Sequence, residues 1–316
     1  MVRVLASGIC GSDVMEWYRL HKAPLVLGHE IAGTIEEVGE GLSHFAQGQR
    51  LACAHHVPCG TCNYCKSGHE TVCETLRRTN FDPGGFCEFV RIPKINIDLG
   101  GVFPLPEAVS FDEATFVEPL ACVLRGQRLA RIAKGQTVAV FGSGIAGILH
   151  IHLAKVMGAG TIIATDILPF RLQAAARFGA DSSISAKEYT PERLRDVNQG
   201  RLADVVIIST GASQAVMQAL ASVERGGTVL FFAPTEKDTK VPFPLNELFW
   251  RTEITLTSSY GAAPFEYQQA LDLIAGKKVD VRGMITHRLP LSEAGLGFRL
   301  VSEGKDSIKV IIHPNE

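Results

Sequence analysis

The chain has 316 residues, 46% of them hydrophobic and 20% charged, with a formal net charge of −2. This is the composition of a globular protein long enough for two ordinary domains. Near-neutral charge without a long like-charge run gives no electrostatic case for a nucleic-acid or anionic-membrane partner. No apolar stretch reaches the roughly 18 residues that span a bilayer, and the opening MVRVLASG lacks the layout of a signal peptide, so a cytoplasmic protein is expected.

Residues 1 to about 118 are rich in Gly, Cys, His and Pro. Short runs at 31–38 and 86–92, closely punctuated by turn residues, predict irregular antiparallel β structure. The middle of the chain changes character. Apolar strands are predicted at 137–141, 161–165, 204–209, 228–232 and 254–257, alternating with helices at 148–157, 170–178 and 214–223. That alternation implies βαβ units on a parallel sheet, and strands this continuously apolar fit a sheet covered on both faces. A helical run at 266–275 and two β-like stretches, one at 307–312, end the chain.

The first predicted parallel strand runs into Gly142-Ser143-Gly144-Ile145-Ala-Gly147, which opens the next helix. The first Gly of such a fingerprint permits a tight turn, the second lets the backbone approach a pyrophosphate, and the third lets helix and strand pack closely. The helix N-terminus offers free N–H groups to phosphates. Asp166 ends the next strand, where a carboxylate accepts hydrogen bonds from an adenosine ribose diol and repels a 2′-phosphate. NAD is therefore expected over NADP, although Arg171 lies where it would accommodate a 2′-phosphate.

Four of the eight cysteines fall together as Cys59, Cys62, Cys65 and Cys73. In a long chain with no export signal, clustered thiols indicate a metal rather than disulfides. Four thiolates on one short lobe make a closed tetrahedral Zn²⁺ site with no place for substrate, so its role is structural. His69, inside the loop, is superfluous to such a site and is expected at the surface.

Gly8-Ile-Cys10-Gly-Ser12-Asp13, Gly28-His29-Glu30, the four-cysteine lobe, Glu118-Pro-Leu-Ala-Cys122 and the glycine fingerprint occur in that order along essentially the whole chain. In this the sequence resembles the zinc-containing medium-chain dehydrogenases, most closely the sorbitol/threonine dehydrogenase branch, which carries Glu at the third ligand position. The resemblance implies an α/β architecture: a GroES-like β-rich catalytic domain from residues 1–120 and 261–316, and a Rossmann doubly wound parallel sheet of six strands at 121–260. It implies two zinc ions per chain, with NAD, a small-molecule alcohol substrate and a homo-tetramer or homo-dimer. Cys10 and His29 would bind the catalytic zinc, Glu30 and Glu118 are both candidate carboxylate ligands, and Asp13 would fix the His29 tautomer.

The implied reaction transfers hydride from a secondary alcohol of the polyol, sugar or amino-alcohol class to the nicotinamide. Zinc acts as Lewis acid, and Ser12 passes the alcohol proton towards solvent. The alternatives are a zinc-free quinone or enoyl reductase of the same fold, and a non-enzymatic NAD-binding zinc protein. The Cys10, His29 and Glu118 set argues against the first.

Three departures from the family pattern stand out. Met15 replaces a His that often follows the loop Asp, leaving His21 as a substitute exit for the proton. Gly11 replaces a pyrophosphate-binding Arg. Relatives place a short β segment before the strand equivalent to 2–6, where this chain almost begins: either the start is truncated, which would leave an exposed sheet edge, or partner strands come from elsewhere. Trp17 and Tyr18 are candidates for the substrate pocket or for core packing, and Tyr260 for the nicotinamide site or hinge packing. His55 and His56 are expected to be solvated, and Cys53, Cys87 and Cys122 to be small buried apolar groups.

Overall fold

The computed structural model describes residues 1–316. The chain divides into two units, Met1–Cys122 with Gly261–Glu316, and Val123–Tyr260. The first boundary falls after Cys122, inside the helix Val117–Leu129.

Thirteen strands form in chain order. The first part supplies β1 (Val2–Gly8), β2 (Glu30–Ile35), β3 (Arg50–Cys53), β4 (Phe89–Val90) and β5 (Val102–Pro104). The middle supplies β6 (Val138–Phe141), β7 (Ile162–Asp166), β8 (Ser182–Ser185), β9 (Ala203–Ile208), β10 (Val223–Phe231) and β11 (Thr255–Ser258). The end supplies β12 (Ile285–Pro290) and β13 (Lys309–His313).

In the first unit the sheet runs β12-β13-β1-β2-β3-β5, with β4 also pairing β1. Its pairs are antiparallel except β12 with β13. β1 is therefore an interior strand. Of the two alternatives, partner strands from elsewhere hold: on the side of β1 away from β2, β4 pairs Val2 and Arg3, and the C-terminal strand β13 pairs Ser7 and Gly8. The run at 86–92 shortens to two strand residues, since the N–H groups of Gly85 and Phe86 instead donate to Gly28 and Leu27 carbonyls just ahead of β2. Val2, Val4, Ile31, Ile35, Leu51 and Val90 form one core. Ile9, Val310 and Ile312 form another with Phe298 and Val301 of the helix Ala294–Glu303.

The second unit holds a six-stranded sheet in the order β8-β7-β6-β9-β10-β11, parallel throughout. The order reverses between β6 and β9, the doubly wound arrangement. Alternate residues go to opposite faces: Ala139, Phe141, Ile163, Val206 and Ile208 to one, Val138, Val140, Ile162, Val205 and Ile207 to the other. Both faces are buried, which is why these strands read as unbroken apolar runs. β8 does not read that way. Its sequence is Ser-Ser-Ile-Ser at the sheet edge, and only Ile184 is buried.

Glu113 fastens the short helix Phe111–Ala114 in the first unit. Its Oε2 accepts hydrogen bonds from Ser110 N–H at 2.9 Å and Ser110 Oγ–H at 2.6 Å, and its Oε1 accepts from Arg282 Nε at 2.7 Å. Burial opposes the charge, but Arg282 and Ser110 outweigh it and hold the carboxyl below its ordinary range. A carboxylate depressed on folding stabilises above its unfolded pKa, and that contribution is lost as pH falls through the folded value. Arg282→Met is therefore expected to lower the melting temperature near neutral pH, with the deficit shrinking as Glu113 protonates. Calorimetry across the acid range checks this, and a deficit independent of pH would contradict it.

Candidate functional site

Antiparallel pairing of β1 with β2 sets Gly8 opposite Glu30. Cys10 lies just past the end of β1 and His29 just before β2, so strand register alone brings residues 10 and 29 together. Cys10 Sγ, a His29 ring nitrogen and a Glu30 carboxylate oxygen all lie within 4.8 Å of one another. His29 and Glu30 are buried, and Cys10 is half-buried. Thiolate, imidazole and carboxylate are all zinc donors, and three protein ligands leave a fourth position open, so the donor set fits a catalytic ion.

Glu118 is not part of this group. It sits buried in the first turn of the helix Val117–Leu129, and its Oε1 accepts from the Cys122 thiol at 3.4 Å. Burial, reinforced by the Glu30 charge, raises its carboxyl above the ordinary range. Cys122, expected to be a mere apolar filler, is thus the hydrogen-bond partner of this carboxylate.

Asp13 is buried in the 3-10 turn Gly11–Val14. Its Oδ2 accepts from Cys10 N–H at 3.1 Å, while Oδ1 faces His29 Nδ1 at 3.4 Å and Arg19 Nη2 at 3.2 Å. With Nδ1 turned to Asp13, Nε2 of His29 remains for a ligand. Burial disfavours charge on both groups. The Asp13 charge nevertheless lifts His29 well above the ordinary imidazole value, and His29 in turn lowers Asp13.

Three neighbours of this site carry no sequence signature. Arg19 donates from Nε to the Ser12 carbonyl and from Nη2 to Ser12 Oγ, each at 3.0 Å. A guanidinium has no acceptor, so a proton on Ser12 does not leave through Arg19. His21, the suggested substitute exit, is exposed in the turn Leu20–Lys22 and shares no hydrogen bond with Ser12. His55 and His56 are not solvated as expected. The His55 ring lies 4.8 Å from His29 and 3.9 Å from His56, and burial depresses both, His56 to about 4. His56 Nδ1–H donates to the Thr79 carbonyl at 2.5 Å. Lys309, from β13, is fully buried and pairs with Glu30 Oε2. Trp17 is exposed, while Tyr18 lies under the cations of Arg19 and Lys22.

The second cluster is the four-cysteine lobe. Sulfur separations are 3.5 Å for Cys62–Cys65, 3.6 Å for Cys73–Cys59 and 4.0 Å for Cys59–Cys65. Tetrahedral zinc with Zn–S near 2.3 Å sets sulfurs about 3.8 Å apart, whereas a disulfide needs about 2.05 Å. The lobe therefore fits an ion and not a pair of bridges. Hydrogen bonds from Thr61 and the Cys62 amide hold the Cys59 thiol below its ordinary value, as a metal ligand requires. His69 is exposed, as expected.

In the second unit, Gly142 follows β6 at φ +92°, in the left-handed region. A Cβ on Gly147 would lie 1.9 Å from the Gly142 carbonyl oxygen, so close packing of helix on strand excludes any side chain there. Gly144 differs. A Cβ there would meet nothing nearer than the Arg171 guanidinium at 3.9 Å. The fold itself does not require that glycine, and the open space is a cradle that a side chain would fill. Gly144 also caps the helix Ile145–Val156 without a side-chain hydrogen bond. Asp166 Oδ2 accepts from Ser143 N–H at 2.8 Å and Oδ1 from Leu168 N–H at 3.0 Å, with Arg171 Nη1 3.9 Å from Oδ2.

Residues 1–106 match the family described as the alcohol dehydrogenase GroES-like domain, and residues 146–276 that described as zinc-binding dehydrogenase. The chain is 31% identical over 328 residues to sorbitol dehydrogenase of Bacillus subtilis strain 168, spanning 100% of this chain and 90% of that protein. The chain belongs to the zinc-containing medium-chain dehydrogenases, on their sorbitol dehydrogenase branch. This dehydrogenase is also 32% identical over 325 residues to D-xylulose reductase A of Aspergillus oryzae, across 99% of this chain and 88% of that one. An alcohol dehydrogenase from Thermus sp. ATN1 superposes with a TM-score of 0.84 at 30% identity, covering 99% of this chain and 91% of its own.

The second and third glycines of the dehydrogenase's fingerprint are expected to separate binding from stability. Gly147→Ala is expected to destabilise by about 1–3 kcal/mol, the usual cost of overpacking. Gly144→Ala is expected to leave the melting temperature unchanged and to weaken NAD binding by roughly tenfold, about 1.4 kcal/mol. Thermal melts with NAD titration check both, and equal stability losses would contradict the assignment.

Proposed function

We propose that the chain oxidises a secondary alcohol of the polyol class to the ketone with NAD. The observation that carries this is the convergence of Cys10, His29 and Glu30 on one buried point. Zinc held there supplies the Lewis acidity that lets an alcohol ionise near neutral pH, and bound NAD supplies the hydride acceptor.

The chain's own residues do the rest. Cys10 and His29 hold the ion, and Asp13 fixes the His29 ring by its Nδ1 side. Glu30 is the carboxylate grouped with them, with Glu118 in reserve behind Cys122. Ser12 Oγ receives the substrate hydroxyl proton while passing its own towards solvent. The Arg19 donor at that oxygen lowers the cost of transient negative charge there and leaves the Ser12 hydrogen free to depart. Gly142, Ser143, Gly144, Ile145 and Gly147 seat the pyrophosphate at the helix N-terminus, and Asp166 takes the ribose diol, with Arg171 beside it.

None of the eight cysteines is in a disulfide, which suits a reducing cytoplasm. No helix is long and apolar enough to cross a membrane. Phe243, Leu245, Phe249 and Trp250 are exposed, Trp250 by 71%, in the segment leading to the edge strand β11. A homo-oligomer built on that apolar segment is the arrangement this favours.

NADH formation with sorbitol, xylitol, inositols, threonine and butanediol tests the reaction, together with metal analysis. Two zinc ions per chain and turnover of at least one polyol are expected. One zinc and no turnover with any alcohol would sink the proposal. Ser12→Ala is expected to lower kcat by about 10²-fold or more, the scale of a lost proton-transfer group, with zinc content unchanged. Wild-type turnover in that variant would remove Ser12 from the relay.

A further inference from the structure

Beside Cys10 and His29 the first unit gathers two permanent cations, Arg19 and Lys22, and only one carboxylate, Asp13, makes an ion pair with either. Tyr18 holds both in place: its ring centroid lies 4.7 Å from the Arg19 guanidinium carbon and 3.8 Å from the Lys22 ammonium. Arg19 commits Nε and Nη2 to Ser12 and Asp13, while Nη1 makes no hydrogen bond. Lys22 is exposed and has no carboxylate partner. Glu16, one turn earlier, pairs with neither cation, and Asp13 is already shared with His29 and the Cys10 amide.

Two imidazoles complete the group, His55 against His29 and His56 against His55. Their backbone is fixed from below. Asn96 Nδ2 donates to the Ala54 and His55 carbonyls at 3.0 and 2.9 Å, and His56 is tied to the Thr79 carbonyl. His55 Nδ1 is buried with no hydrogen-bond partner. Burial first, and then neighbouring positive charge, keeps both rings neutral: His29 and Arg19 act on each, and Lys22 acts on His56. Lys22, on a different stretch of chain, is thus close enough for its charge to be felt at the imidazole pair.

We infer that the alcohol taken at this site carries an anionic group, a phosphate monoester or a carboxylate, received by Lys22 and Arg19 Nη1, with His55 Nδ1 as a further hydrogen-bond partner for the same molecule. Two permanent cations with one shared counter-ion repel each other, and an incoming oxyanion relieves that repulsion. Ammonium and guanidinium groups are the donors that phosphate and carboxylate oxygens take best. An uncharged polyol would meet the same groups and leave the excess charge in place. The substrate class is therefore a sugar-alcohol phosphate or a polyhydroxy acid. This rests on the alcohol-oxidising reading given above and narrows its substrate.

NADH formation by the zinc-loaded protein with sorbitol, sorbitol phosphate and gluconate tests it. One of the two charged substrates is expected to exceed sorbitol in kcat/KM by about tenfold or more, and which one does so identifies the anion. That advantage should shrink as salt rises from about 0.01 M to about 1 M, where the screening length falls from about 30 Å to about 3 Å. Lys22→Gln is expected to cut the ratio of charged to uncharged kcat/KM by roughly five- to tenfold, through KM rather than kcat, and Lys22→Arg to restore most of it. Equal kcat/KM for charged and uncharged substrates, or a preference for any uncharged alcohol, overturns the inference and leaves the alcohol reading standing. A preference for a charged substrate that survives Lys22→Gln intact overturns it as well, because this group would not be the receiver. No turnover with these three or with any of the alcohols named above refutes the alcohol reading itself, and the inference with it.

Discussion

The register that sets Gly8 against Glu30 governs the chemistry of the first unit. β1 ends where Cys10 begins its turn, and β2 begins where His29 ends the preceding loop. A slip of one residue would send Glu30 to the other face of the sheet and separate the thiol from the imidazole. The register is held from several directions. Apolar residues Val2, Val4, Ile31 and Ile35 are buried in one core, and β13 clamps β1 from the opposite side. The hydrophobic effect thus fixes the geometry of a polar site through backbone pairing.

Placing so many charged groups in a dry interior would be costly if each stood alone. They do not. Asp13 is shared between His29 and Arg19, Glu30 is matched by Lys309, and Glu118 has the Cys122 thiol. Asp13, Glu30 and Glu118 are thus each accompanied by a donor. The result is a set of side chains that burial and pairing fix in place, which is what a catalytic constellation requires.

Much of this was readable from residue types. The four clustered cysteines stand out because thiols at such spacings serve few purposes besides metal binding, whereas Cys10, His29 and Asp13 were legible only through the family resemblance. The second and third glycines of the fingerprint were legible, although only the structure shows that Gly147 serves packing while Gly144 leaves open space. Arg19, His55 and Lys309 were not legible. A helix-turn arginine, a pair of histidines before a cysteine lobe and one lysine in an apolar strand have ordinary explanations, and their proximity to the site follows from tertiary register. β8 escaped notice for a different reason: an edge strand has one neighbour and little to bury, so Ser182 and Ser183 carry no apolar signal.

The position of β13 has a consequence for how the molecule comes into being. Glu30 and Lys309 are 279 residues apart, and the strand carrying the lysine inserts between β1 and β12. During synthesis the early strands emerge long before their central companion, with an acidic group facing a gap that no cation yet fills. The first unit therefore closes last, after the parallel-sheet unit has already been made. An incomplete chain would hold a finished nucleotide fold beside an open, half-built sheet, which gives cellular quality control a clear mark by which to tell unfinished copies from finished ones.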